Sequence, residues 1–203
     1  MIKNIIFDFG DIFINLDKEA TYKELAKLGV TAVSQDMMET YFKYEMGLLS
    51  TEAFVGFYKD KFPNITKEEL VHAWNAILLD FPTHRLTFLK ELAASKKYRL
   101  FLLSNTNDLH ISWIQNDWGA PLYNEFKSCF EQFYLSHEIH FRKPNKDIYE
   151  FVLTENNLKP EETFFIDDTK ENTDSAQSLG IKVWNLIPGE DDVVDLLSNK
   201  FFV

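Results

Sequence analysis

Two hydrophobic periodicities divide the chain. Short apolar runs rich in β-branched and aromatic residues fall at residues 4–9, 98–105, 130–136, 163–168 and 181–187, and each reads as a buried strand. Between the later runs the apolar positions recur at helical spacing. In "PNKDIYEFVLTENN" Ile148, Phe151 and Val152 share one face, with Pro144 at a first-turn position. "TKENTDSAQSLG" closes on Gly180 as a C-terminal cap. Strands alternating with helices predict βαβ units, hence a parallel sheet covered on both faces.

The first connection breaks this rhythm. From about residue 17 to 82 only helical patterns occur: "KEATYKELAKLG" closed by Gly29, "SQDMMETYFKYEMG" closed by Gly47, "STEAFVGFYKDKF" and "TKEELVHAWNAILLD". Ser34, Ser50 and Thr66 occupy N-cap positions, and "TKEE" is a capping box. A crossover of about 65 residues is far longer than usual. The expected fold is therefore α/β: a doubly wound, Rossmann-like parallel sheet from residues 1–16 and 83–203, with a small all-helical cap, 17–82, inserted after strand one. In such sheets ligands bind at the carboxyl edge of the strands.

Composition narrows the function. The formal net charge of the 203 residues is −11, which disfavours nucleic-acid and anionic-membrane partners. A single cysteine, Cys129, excludes an intrachain disulfide and points to a reducing compartment. No apolar stretch approaches the roughly 20 residues of a membrane span, and the start has no leader-like run, so the expectation is cytoplasmic.

Four groups fall just after strands: Asp8, Ser104-Asn105, Lys143 and Asp167-Asp168. Each alone has an ordinary reading: a turn former for Asp8, a helix start for "SNTND", a solvated lysine for Lys143, an N-cap pair for the two aspartates. Together they converge on one crevice. Three carboxylates with no local arginine cluster are costly unless a cation binds, and hard oxygen ligands suit Mg²⁺. A hydroxyl, an amide and an ammonium beside them suit phosphoryl oxygens. The chemistry indicated is metal-assisted phosphoryl transfer to a carboxylate nucleophile.

In order along the chain, "IIFDFGDI", "LFLLSNT", "RKPNKDIY" and "FFIDDTKENTDSA" resemble the four motifs of the haloacid dehalogenase (HAD) superfamily. "YLSHEIHFRKPNKDIYEFVL" and "EMGLLSTEAF" are further similar to bacterial phosphatases of α-D-glucose 1-phosphate. The resemblance implies Asp8 as nucleophile and Mg²⁺ held by Asp8, the Gly10 carbonyl and Asp168, with Asp167 beside them. It implies Ser104, Asn105 and Lys143 around the phosphoryl group and Asn172 in support of the acidic pair. The substrate implied is a small phosphorylated metabolite.

Gly10 departs from the pattern. The family usually carries there an Asp that protonates the leaving group. Here the acid comes one residue later, at Asp11, and neighbouring side chains of extended backbone face opposite ways. Positive φ at Gly10 would swing Asp11 inward; otherwise Asp11 is a turn residue of the flap. The sugar-phosphatase subgroup also often has Gly at this place, and an anomeric hydroxyl leaves with less help from an acid. Other readings stay open: a degenerate, non-catalytic binder of a phosphorylated ligand or partner, a 2-haloacid dehalogenase with no use for Asp167-Asp168, and a sugar-phosphate mutase that would need the missing acid. Tyr41, Glu45, Phe54, Trp74 and Asn75 are cap candidates for specificity, or simply packing.

Overall fold

The computed structural model describes residues 1–200 and 202. Its centre is a five-stranded parallel sheet in the order β3-β2-β1-β4-β5. The strands are β1 Asn4–Phe7, β2 Arg99–Ser104, β3 Gln132–Leu135, β4 Thr163–Asp167 and β5 Lys182–Asn185. All five lie inside the apolar runs, shortened at the ends. The order places β1 centrally, with Ile5 opposite Leu100 on one side and Phe164 on the other.

Alternation along the strands explains the two covered faces. Ile5, Phe7, Leu100, Leu102, Phe164 and Ile166 pack on helices α5 (Thr83–Ser95) and α6 (Asp108–Lys127). Ile6, Phe101, Leu103 and Phe165 pack on α8 (Lys146–Glu155) and α9 (Lys170–Gln177). The period of two sends successive side chains into different layers. Many phenylalanines serve the first layer: Phe9, Phe13 and Phe130 each lie with ring centroids 5.2 Å from that of Phe126.

Between β1 and β2 stand α1 (Ala20–Lys27), α2 (Gln35–Glu45), α3 (Thr51–Lys61) and α4 (Lys67–Asn75). They share an apolar cluster of their own, including Leu25, Met37, Tyr44, Phe54, Tyr58, Leu70 and Trp74. Phe54 and Trp74 are thus packing residues, as their helical spacing allowed. The chain leaves the sheet and returns through an antiparallel pairing, in which Asn15 donates to Asp80, Leu79 to Asn15 and Asp17 to Ile77. That pairing ends α4 at Asn75, earlier than the pattern through residue 80 implied. A four-residue helix, α7 (Ser136–Ile139), follows β3 directly. No helix of the described residues is long and apolar enough to cross a membrane.

The caps divide in outcome. Ser50 accepts from the Ala53 amide, and Thr66 with Glu69 forms the capping box. Ser34 holds the extended N-cap backbone but turns its hydroxyl to Asp36 instead. Gly29 and Gly47 take positive φ after their helices, 90° and 65°, where a Cβ is disfavoured. Pro144 is not in a first turn: α8 begins at Lys146 after Asn145. The Pro144 carbonyl instead accepts the Ser175 hydroxyl of α9.

Phe126, fully buried at the meeting of six rings, gives a stability test. Phe126→Ala is expected to cost about 3–5 kcal/mol in urea unfolding; a loss below about 1 kcal/mol contradicts the ring cluster as a structural centre.

Candidate active site

Every strand that contributes to the site ends at the same edge of the sheet. Asp8 follows β1, Ser104 closes β2, and Asp167 closes β4 with Asp168 next. Lys143 reaches the same place from the loop between α7 and α8. The Asp8, Asp167 and Asp168 carboxylates each offer an oxygen within 4.8 Å of the others. Around them lies a cavity of about 420 Å³, lined by Asp8, Gly10, Ser104, Asn105, Lys143, Asp168 and Asn172 among others.

Lys143 organises the group. Its ammonium is 1% exposed and lies 2.7 Å from Asp8 Oδ1 and 2.6 Å from Asp167 Oδ2. Burial alone would pull its pKa down, but the charges of Asp167 and Asp8 outweigh that and hold it above its ordinary value. The lysine is therefore a fixed cation. Asp8 is pushed from 3.8 up to about 7, chiefly by burial, with Lys143 opposing and Asp167 and Asp168 adding to the rise. Three carboxylates face one buried ammonium, so with all three ionised the cluster carries two negative charges in excess. Three converging oxygen donors with that excess fit a divalent, oxygen-seeking ion such as Mg²⁺.

Asp167 faces inward and is fully buried. Its Oδ1 accepts from the Thr169 amide at 2.8 Å and from Asn172 Nδ2 at 3.0 Å, while Oδ2 takes Lys143. Asn172 thus braces the acidic pair from α9, and Asp167 braces Lys143. Asp168 is the acid of the pair that lines the cavity.

Asn105 behaves differently from a simple phosphate-binding amide. Its Nδ2 donates to the Lys143 carbonyl and its Oδ1 accepts the Lys143 amide, both at 2.9 Å. The side chain is a clamp on the lysine peptide, which leaves the backbone N–H to meet a ligand. Ser104, 3% exposed, presents its hydroxyl beside it.

At the flap, the positive φ expected of Gly10 falls on Asp11 instead, at 55°. Aspartate tolerates that region because its side chain bonds the nearby backbone. Here the Asp11 amide donates to the Ile14 carbonyl, Oδ1 accepts the Leu16 amide at 3.0 Å, and Oδ2 lies 3.1 Å from Lys18 Nζ. Asp11 closes the flap turn and is absent from the cavity lining. A Cβ on Gly10 would meet Leu16 Cδ1 at 2.6 Å, so a side chain there requires Leu16 to turn aside.

Several lining residues had no motif to announce them. Lys18, at the exit toward the helical insertion, bonds Asp168 as well as Asp11. Arg142 precedes Lys143, and Tyr41, Phe42 and Glu45 approach from α2. Of the other specificity candidates, Asn75 is buried but absent from this lining. His110, on the first turn of α6, faces the Trp74 carbonyl with Nε2 and Asn107 Nδ2 with Nδ1, each at 3.2 Å. Arg142 opens the "RKPNKDIY" run, and the sequence marks Tyr41 and Glu45 only as candidates for specificity or packing; Lys18 and Phe42 depend on tertiary packing.

With the geometry in place, comparison with known proteins decides the family. The profile described as "Haloacid dehalogenase-like hydrolase" matches residues 5–186. The chain belongs to that family. It is 30% identical over 202 residues to a D-ribitol-5-phosphate phosphatase of Bacteroides thetaiotaomicron, covering 94% of this chain and 95% of the relative. A HAD-family enzyme of the same organism, solved with magnesium and inorganic phosphate, is 33% identical with a TM-score of 0.79, covering 94% and 97%. A HAD-like hydrolase of Porphyromonas gingivalis is 29% identical with a TM-score of 0.82, covering 94% of each chain.

His110 supplies a pH test. Burial lowers its pKa from 6.5 to about 4, with the Trp74 carbonyl opposing in part, so the folded ring is neutral. The unfolded chain binds the proton more readily. The contribution is therefore fully present above about pH 6.5 and lost as pH falls toward 4, worth roughly 3 kcal/mol at most. His110→Gln is expected to flatten the decline of the melting temperature across that window; an unchanged slope contradicts the neutral, half-buried histidine.

Proposed function

We infer that Asp8 is the nucleophile of this HAD-type hydrolase and that its substrate is a small sugar or polyol phosphate. The chain is a phosphoric monoester hydrolase, and magnesium is its cofactor. The observation that carries the reading is the buried Asp8–Lys143–Asp167 chain, opening with Asp168 onto one cavity.

Asp8, Asp168 and the Gly10 carbonyl would hold the metal, with Asp167 behind them. Magnesium supplies positive charge against which an anionic phosphoryl group can approach a carboxylate. An Asp8 oxygen attacks phosphorus, forming the aspartyl-phosphate O–P bond as the bond to the leaving oxygen breaks. Lys143, a permanent ammonium, offsets charge on the transferring oxygens. Ser104 and the Asn105 backbone N–H bind those oxygens. Water then attacks the same phosphorus, releasing phosphate and restoring Asp8. Asn172 and Asp167 hold Lys143 in place throughout.

The leaving oxygen must gain a proton, and Gly10 offers none. Asp11 is spent on the Leu16 amide and Lys18, so its share in that proton transfer is small. A leaving group that departs with little protonation fits best, such as the anomeric oxygen of α-D-glucose 1-phosphate. D-ribitol 5-phosphate, which names the relative's activity, would expel ribitol through an ordinary primary alcohol oxygen and defines the other arm of the test. The helices between residues 17 and 82 act as the cap that closes over the leaving group.

Phosphate release with Mg²⁺ across a sugar and polyol phosphate panel is expected, and chelation should abolish it. Glucose 1-phosphate should exceed glucose 6-phosphate; equal rates contradict the leaving-group argument. Asp8→Asn is expected to fold and to lose activity, while Asp11→Asn loses less. More than about a tenth of wild-type turnover in Asp8→Asn removes the nucleophile assignment.

A further inference from the structure

The roof of the cavity carries an ion pair, with its carboxylate buried and its guanidinium half-buried, that phosphoryl transfer does not use. Glu45, the last residue of α2, is 3% exposed. Its Oε2 accepts from Arg142 Nε at 2.8 Å and its Oε1 accepts the Tyr41 hydroxyl at 2.7 Å. The Arg142 guanidinium lies over the Phe42 ring, 4.2 Å from its centroid. The fully buried Ser136 hydroxyl, 2.6 Å from the Glu45 carbonyl, fixes the end of α2. Burial, with the Glu45 charge second, raises the Tyr41 hydroxyl well above its ordinary pKa and keeps it a donor.

Burying the Glu45 carboxylate is costly even with the half-buried Arg142 beside it, and hydrophobic residues would serve packing as well or better. The pair also stands in a particular place. Tyr41, Phe42, Glu45 and Arg142 line the same cavity as Asp8, Ser104 and Lys143. Among the described residues, the side-chain hydrogen bond Arg142 makes is through Nε, which leaves its terminal nitrogens to meet a ligand. The assembly therefore presents N–H donors and carboxylate acceptors side by side, neutral as a whole. An anionic leaving group would meet Glu45 and a cationic one Arg142. Neighbouring hydroxyls, each able to donate and accept, match both.

We propose that Tyr41, Glu45 and Arg142 form the subsite for the leaving group's hydroxyls and select phosphates of vicinal diols over phosphomonoesters that lack hydroxyls. This rests on the phosphatase reading above. Both Glu45 oxygens already accept a bond, and a closed-in substrate without hydroxyls would leave the terminal Arg142 nitrogens without an acceptor, a form of discrimination open to polar sites. Tyr41 and Glu45 are binding residues in this account; they take no part in bond making.

The test uses the full chain with Mg²⁺ and measures kcat/KM for D-ribitol 5-phosphate, α-D-glucose 1-phosphate and p-nitrophenyl phosphate. Wild type, Glu45→Gln and the near-isosteric Tyr41→Phe are compared, the last because it spares the ion pair and the fold. For the better diol substrate, the ratio to p-nitrophenyl phosphate is expected to fall about tenfold or more in both variants, mainly through KM. A smaller change in the ratio, with all substrates falling together, assigns the group to structural support and overturns the proposal. Wild-type indifference between diol and hydroxyl-free esters overturns it while leaving the phosphatase reading intact. Absence of phosphate release from every ester defeats both.

Discussion

One buried ammonium holds the site together. Lys143 lies between Asp8 and Asp167 with almost no contact to water, and each carboxylate would be prohibitively costly there without it. The protein therefore invests in placing that lysine: Asn105 grips its peptide on both sides, Asp167 takes its ammonium, and Asn172 holds Asp167. β2, β4 and α9 all contribute to setting one side chain. Because the strands are parallel and adjacent, their ends bring these groups to one edge with no further device.

The cluster is also unbalanced, and the imbalance has a use. Asp8 is driven toward neutrality by burial and by its acidic neighbours, whereas a nucleophile must be charged. Lys143 already opposes that rise; a divalent cation held by Asp8 and Asp168 would favour the ionised form further, so in the proposed reaction nucleophile and metal site would be coupled by electrostatics. Lys18 extends that coupling. Placed where the chain leaves for the helical insertion, it bonds both Asp168 and the flap residue Asp11. The start of the helical insertion, the flap and the acidic strand edge thus share one charge network.

What could be read from the chain follows from which interactions are local. The strands announced themselves because each is an apolar run whose residues go to the two layers, Ile5 and Phe7 one way, Ile6 the other. The capping box at Thr66–Glu69 is a local bond and was legible, whereas Ser34 has a competitor in Asp36 that spacing does not rank. Asp8, Ser104 and Asp168 could be placed at one edge because strand ends are legible, whereas Lys143 lies beyond α7 in the loop before α8 and had only its motif to mark it. The flap was misjudged at Gly10, since which residue takes positive φ depends on Asp11 finding the Leu16 amide. Tyr41 and Glu45 stand among the sequence candidates for specificity, but their pairing with Arg142 was not legible: Glu45 and Arg142 are 97 residues apart, and only the packing of α2 over the sheet edge brings them together.

The central claim is that Asp8 carries the phosphoryl group covalently. Acid quenching of the enzyme during turnover with Mg²⁺ and a hydrolysed sugar phosphate, then borohydride reduction and peptide mass spectrometry, reads this directly. An aspartyl-phosphate at Asp8 is reduced to homoserine, and that mass change is predicted in the peptide containing Asp8 and nowhere else. An unmodified Asp8 during demonstrated turnover, or the change at another carboxylate, would contradict the account.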